Sequence, residues 1–309
     1  MKFKKINCPI CNKNYSKRLF ETNDFRLHTT FQEFNLCLCK NCGFVYVNPQ
    51  PNEDELGKFY PESYYNPTPL ILEFFYKPFA NMITKKMIGD IKKVKRNGKL
   101  LDVGCGSGFF LKELLKYGYD AYGIDSYEGI LDIISPELCL RVKNNSFLDI
   151  KFPDESFDIV IIKQVLEHLL NPNDVIKEIH RILKEDGIVY VEVPNFNCAE
   201  AQLFGKFWYN LEVPRHLYQF TKKTFRAIFE KNGFSAFLEL NNNGSLLLKS
   251  PLAIVNSFNF FLRNKIKRNL PLNLINVVCF LPLLIITLFL RIFSGKEGMD
   301  IRMIFTKNK

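Results

Sequence analysis

The sequence has no apolar stretch ahead of Cys8. Residues 1 to 10, MKFKKINCPI, begin basic and stay polar, so no secretory signal is read and a cytoplasmic protein is expected. There is also no apolar run of the ~20 residues that a bilayer-spanning helix needs. The nearest approach, 277–290, is 14 residues long with Thr287 and Pro282 inside it, and extending it to 272–293 draws in Asn273, Asn276 and Arg291. No internal repeat or low-complexity tract is present. The nine cysteines are an odd number in a chain of 309 residues without a leader, which argues against a disulfide framework and turns the first five towards metal binding. Acidic residues are scarce in one place only: 245–309 hold 10 Lys/Arg against 2 Asp/Glu, whereas the remainder holds 32 against 30. The formal charge of +10 is therefore a property of the C-terminal segment, not of the whole surface.

What is present divides into three regions. Residues 1–50 carry two CxxC pairs among short β-like runs such as Phe44-Val45-Tyr46-Val47, closed by Asn48-Pro49-Gln50-Pro51. A Pro- and Tyr-rich connector and a packing helix over 70–94 fill 51–98, with Phe75, Phe79, Met82, Ile83, Met87, Ile91 and Val94 near helical spacing. From 99 to 309 short apolar runs alternate with amphipathic stretches, the pattern of βαβ units on a mostly parallel sheet. Strands are expected over 100–103, 120–124, 157–162, 188–193 and 236–240. A very apolar, base-flanked helical insert over about 245–298 precedes a last strand over 299–306. The fold class is thus α/β, Rossmann-like, with an N-terminal cysteine module.

Leu100-Leu101-Asp102-Val103-Gly104-Cys105-Gly106-Ser107-Gly108 reads as a buried strand entering a glycine-rich turn, where a ligand can approach backbone that lacks Cβ atoms. A dinucleotide fingerprint needs a small residue at 109, where Phe109 stands, so nicotinamide and flavin dinucleotides are disfavoured. Twenty-one residues beyond Gly104, the next strand ends in Asp125, placed to accept hydrogen bonds from ribose hydroxyls.

LDVGCGSG, YGID, FPDESFDIVIIKQVLEHLLNP and RILKEDGIVYVEVPN, in that order, resemble the successive motifs of class I S-adenosylmethionine-dependent methyltransferases over roughly residues 95–240. The resemblance implies S-adenosylmethionine as cofactor. It implies that Asp102 positions the methionine amino group, that Gly104 and Gly106 lie against the methionine and ribose, that Asp125 holds the ribose diol, and that Phe147, Leu148 and Asp149 flank the adenine. Relatives usually carry a Pro-Gly-Gly turn where this chain has Glu185-Asp186-Gly187. Glu167-His168 resembles the Glu-His pair of small-molecule O-methyltransferases such as the ubiquinone-pathway enzymes, and a histidine suits general-base work near neutral pH. Gln164 stands where some relatives have an acidic metal ligand, so metal-dependent chemistry is not expected. His216, in a Pro214-Arg215-His216-Leu217 segment similar to that of related enzymes, is a second base candidate, and Arg215 with nearby aromatics is read as a receiver for a sugar or acidic group.

Cys8-Pro9-Ile10-Cys11 and Cys39-Lys40-Asn41-Cys42 can present four thiolates tetrahedrally to one ion, with zinc the first choice in a structural role and iron compatible with the same geometry. Cys37 is left out, because its CxC spacing with Cys39 is not that of a knuckle. The run CKNCGFVYVNPQPNEDELGKFYPESYY resembles the zinc-binding N-terminal module of many bacterial methyltransferases, sugar methyltransferases included. The expected acceptor is oxygen of a sugar, sugar nucleotide or lipid-linked glycan intermediate. The alternatives are a quinone-type small molecule, or RNA held through the zinc module, which the balanced charge outside the C-terminal segment disfavours. The apolar insert and the basic cluster Arg263, Lys265, Lys267 and Arg268 lead to an expected peripheral contact with the inner membrane face through 252–293, or else a hairpin packed on the protein.

Overall fold

Lys99–Val103 lies inside a seven-stranded sheet, third from one edge, and the order of its neighbours defines the fold. In the computed structural model, which describes residues 2–65, 70–240, 257, 258, 260 and 298–308, the sheet runs Phe234–Glu239, Asp300–Lys307, Leu183–Pro194, Phe157–Lys163, Lys99–Val103, Asp120–Asp125, Val142–Asn144. Numbered along the chain, the strands stand in the order 3-2-1-4-5-7-6. The first pairs in parallel with the second and fourth, and the seventh is antiparallel to the sixth. The order of the strands reverses between the first and the fourth, and such a reversal opens a crevice at the carboxyl ends of the strands.

The α/β expectation holds, including the last strand. One strand of this sheet escaped the sequence reading: Val142–Asn144 is three residues long, too short for its alternation to show. The fifth strand starts earlier than expected. Leu183 and Ile188 both pair with the fourth strand across a register shift, so Glu185-Asp186-Gly187 forms an irregularity within the strand instead of a turn before it.

Two compact units divide the chain. One comprises Thr68–Val193, Arg226–Leu240 and Arg302–Lys309 and contains the large sheet. Its core gathers Leu100, Ile159, Ile161, Ile188, Tyr190 and Ile304 from the strands with Phe110, Leu111 and Leu114 from the helix Phe109–Lys116. The helix Leu70–Val94 adds Met87, Ile88 and Ile91 to that core, while Met82, expected on the same apolar stripe, faces solvent.

The other unit comprises Met1–Pro67, Pro194–Phe225 and Asn241–Ile301. Its antiparallel sheet runs Tyr218–Gln219, Val45–Val47, Phe34–Cys39, Ser16–Thr22. Phe44 packs its ring at 5.7 Å from Tyr218 and at 5.2 Å from Phe220, so residues far apart in sequence share one aromatic core. Beside it, the fully buried Arg215 forks onto Asp24 at 2.7 and 3.0 Å and reaches the Phe59 carbonyl at 3.1 Å and Glu212 at 3.2 Å. Glu212 also pairs with Arg26. Burial alone would raise the Asp24 carboxyl, but the Arg215 guanidinium outweighs it and holds the group at about 2. Arg215 is thus committed inside its own unit and Trp208 is buried, which corrects the reading of Arg215 as a ligand receiver.

Apart from residues 257, 258, 260 and 298, the apolar insert lies outside the described residues, as does its basic cluster. Among the described residues no helix is long and apolar enough to cross a membrane.

Candidate active site and metal centre

The glycine-rich turn is fastened at both ends. The amides of Gly104 and Cys105 donate to the Ile124 carbonyl at 2.8 and 3.2 Å, tying the turn to the neighbouring strand, and the helix Phe109–Lys116 begins directly after Gly108. Gly104 and Gly106 both take left-handed conformations, with φ of 77° and 51°, but they serve different ends. A Cβ on Gly104 would stand 2.3 Å from Val165 Cγ2, so this glycine is required by the packing of the fourth strand's loop. A Cβ on Gly106 would meet nothing within 4 Å, which leaves its backbone open to a ligand. Gly104→Ala is accordingly expected to destabilise the fold by about 1–3 kcal/mol through overpacking, with partial recovery on adding Val165→Ala. Chemical denaturation of the two variants measures this, and equal stabilities for Gly104→Ala and the parent chain would disprove the packing role.

Asp125 ends the second strand with its carboxylate already oriented. Oδ2 accepts the Gly106 N–H at 2.9 Å and Oδ1 accepts the Tyr127 N–H at 3.0 Å. A carboxylate offers about four acceptor positions, so two remain for a ligand diol. The third strand contributes Asn144, whose amide donates to the carbonyls of Asp125 and Tyr127 at 3.1 and 2.7 Å. Beyond it come Phe147, buried with its ring 6.5 Å from that of Phe152, half-buried Leu148 and exposed Asp149. Asp102, 3 % exposed near the end of the first strand, is pushed up to about 7 by burial, against the opposing charge of Lys163 and with a smaller contribution from Asp125.

The structure thus brings Asp102, Gly104, Gly106, Asp125 and the 147–149 segment to the carboxyl ends of adjacent strands in one unit. His168 belongs to the same unit, half-buried in the turn Leu166–His168 that follows the fourth strand, its amide on the Val165 carbonyl at 2.9 Å. His216 belongs to the other unit. It is buried, with Nδ1 2.8 Å from the Asn210 carbonyl and Nε2 3.7 Å from Glu212, and burial holds its pKa below the ordinary histidine value.

The cysteine knuckles are built alike. Each closes on a left-handed residue, Asn12 at φ 56° and Gly43 at φ 79°, whose N–H donates to the carbonyl of the knuckle's first cysteine, Cys8 at 2.8 Å and Cys39 at 2.9 Å. The sulfurs of Cys8, Cys11, Cys39 and Cys42 all lie within 4.8 Å of one another, with Cys8–Cys42 at 3.4 Å and Cys11–Cys39 at 3.5 Å. A tetrahedron with metal–sulfur bonds of ~2.3 Å has edges of ~3.8 Å, so the donor set suits a closed four-thiolate site. Cys37 stands apart, with its thiol directed to the Asn48 carbonyl at 3.6 Å.

Sequence reasoning missed Asn144 and Lys163. Asn144 lies on a strand too short to see, and Lys163 reads in sequence as an ordinary strand-end lysine.

A ubiquinone biosynthesis O-methyltransferase of Pelagibacter ubique is 27% identical over 203 residues, covering 59% of this chain and 81% of that protein. One of the same name from Pseudomonas syringae pv. tomato is 31% identical over 134 residues, covering 40% of this chain and 57% of its own length. The chain therefore spans less than two thirds of some of the curated relatives it matches. A crystal structure of a SAM-dependent methyltransferase from Archaeoglobus fulgidus aligns at 18% identity with a TM-score of 0.48, covering 76% of this chain and 98% of that one. The model of the methyltransferase domain family matches residues 82–238, which takes in the glycine turn, Asp125 and His168. With half of its length so matched, the chain belongs to the methyltransferase domain family, of the class I S-adenosylmethionine-dependent kind.

Proposed function

We propose that the chain transfers the methyl group of S-adenosylmethionine to an oxygen of a small hydroxylated acceptor: a sugar, sugar nucleotide or lipid-linked glycan intermediate. The observation that carries the donor assignment is the bond from the Gly106 amide to Asp125 beneath open space at Gly106, a cradle that admits a nucleoside against bare backbone. In this reading Asp102 takes the methionine ammonium, Asp125 the ribose diol, and Phe147, Leu148 and Asp149 the adenine. The acceptor oxygen attacks the methyl carbon in line with the sulfonium. The C–S bond breaks with its electron pair remaining on sulfur, and the hydroxyl proton passes to a base, for which His168 is preferred. Four thiolates, from Cys8, Cys11, Cys39 and Cys42, hold one zinc in a structural role.

A quinone-type phenol is the second reading, favoured by the relatives named ubiquinone biosynthesis O-methyltransferase. Transfer from labelled cofactor into separate pools of sugar nucleotides, lipid-linked glycans, quinone-type phenols and RNA decides between them. Label in the first two supports the glycan reading, label in the third replaces it, and label in RNA alone rejects both.

Asp125→Ala is expected to weaken S-adenosylmethionine binding by about 1.5–3 kcal/mol, the worth of hydrogen bonds to a charged group. Calorimetry finding parental affinity in that variant removes Asp125 from the site.

A further inference from the structure

Two ionisable side chains beside the glycine turn lack hydrogen-bond and ion-pair partners among the described residues. The Asp102 carboxyl, almost wholly buried, accepts no hydrogen bond among the described residues, and the half-buried Lys163 ammonium has no carboxylate within ion-pair distance among them. Its only described contact of note is the ring of Phe110, whose centroid is 5.9 Å from Nζ. Charges removed from water ordinarily find a counter-charge in the protein.

Their placement is set by strand register. Asp102 pairs with Ile161 and Val103 with Ile162 in parallel, so Asp102 and Ile161 point to the same face of the sheet. Lys163, two residues beyond Ile161, projects from that face again, one step further towards the carboxyl edge and level with the start of the glycine turn. Phe110, which the ammonium overlies, belongs to the first turn of the helix that the glycine turn launches. A carboxyl and an ammonium, neither of them paired among the described residues, therefore stand on one face at the carboxyl edge of the sheet. The charge of Lys163 is also the main influence opposing the rise of Asp102, which independently sets the two groups near each other.

We propose that Lys163 binds the α-carboxylate of the methionine moiety while Asp102 takes its α-ammonium, so that the pair reads the amino-acid zwitterion and rejects nucleosides lacking the carboxylate. This rests on S-adenosylmethionine being the ligand of the unit. The chemistry matches in sign at both ends: a lysine is a compact point charge with three donors for a carboxylate, and an aspartate accepts from an ammonium. Lys163 is then a specificity-determining residue of the donor site, taking no part in the transfer itself.

The test uses the full chain and calorimetric titration with two probes, S-adenosylmethionine and its decarboxylated analogue, which keeps the adenosine, sulfonium and amine. The parent protein should bind the former about 10- to 100-fold more tightly, as one charge-assisted contact is worth. Lys163→Met should lose about that factor for S-adenosylmethionine and change little for the analogue, whose undiminished binding also shows that the variant is folded. Lys163→Arg should recover part of the discrimination. Equal affinities for the two probes in the parent protein, or an equal loss for both in Lys163→Met, overturns the assignment while leaving the cofactor reading intact. Binding of neither probe to the parent protein overturns the cofactor reading, and this inference with it.

Discussion

Protein prepared without chelator is expected to carry one zinc per chain, and Cys39→Ser to lose it together with the tertiary structure of the N-terminal sheet. The expected effect is the largest in the molecule, because structural zinc contributes on the order of 10–16 kcal/mol to the folding of small modules at neutral pH. Cys39 ends the strand Phe34–Cys39, and its amide and carbonyl close the knuckle on Phe44 and Gly43, so loss of the metal is transmitted directly into the sheet. Burial pushes the Cys8 thiol far above its ordinary range. At Cys11, burial acts in the same direction but is outweighed by the Lys13 backbone and Cys39, which bring that thiol to about 7. Cys37→Ser should keep the metal, since its thiol faces the Asn48 carbonyl outside the cluster. Elemental analysis of the three proteins settles the matter. Neither zinc nor iron in the parent chain refutes the site, and full metal content in Cys39→Ser moves the fourth ligand elsewhere.

Arg215→Ala should cost about 3–5 kcal/mol of stability, the penalty for breaking a buried ion pair from one side. The guanidinium is fully buried, and its removal would leave Asp24 without its fork and take one cation from Glu212, which keeps its pair with Arg26. Arg215→Lys should recover little, because one ammonium cannot reproduce the two parallel bonds to Asp24 and the bond to the Phe59 carbonyl. Urea denaturation provides the measurement. A shift below about 1 kcal/mol, the range of exposed pairs, would show that the network contributes no more than a surface salt bridge. A lysine variant as stable as the parent would show that charge alone suffices.

The turn and the carboxylate of the proposed donor site were legible because their signals are local. Three glycines in five residues after an apolar run, and an aspartate closing the next run, fix a turn and a carboxylate whatever surrounds them. The cysteine knuckles are local in the same way. The rest depends on partners the sequence does not place side by side. Arg215 looked available for a ligand because its counter-charge, Asp24, lies 191 positions earlier. Lys163 gave no signal because its place beside Asp102 is set by the pairing of two strands some sixty residues apart. Gly104 and Gly106 looked alike in sequence, and the difference between them is made by Val165, which reaches one and not the other.

The pairing of Tyr218 with Tyr46 across 172 positions has a consequence for how the chain is made. Ribosomes add about 5–20 residues per second, so the strand that completes the N-terminal sheet emerges some 10–30 s after the strand it pairs with. Both cysteine knuckles are synthesised before that interval begins. During it they stand beside an unfinished sheet whose Val45–Val47 edge has not received Tyr218–Gln219, and Asp24 has not met Arg215. An ion captured by the four thiols in that time would hold the nascent segment in register until its last strand arrived. Zinc supply during translation, more than zinc supply afterwards, would then set the yield of folded protein.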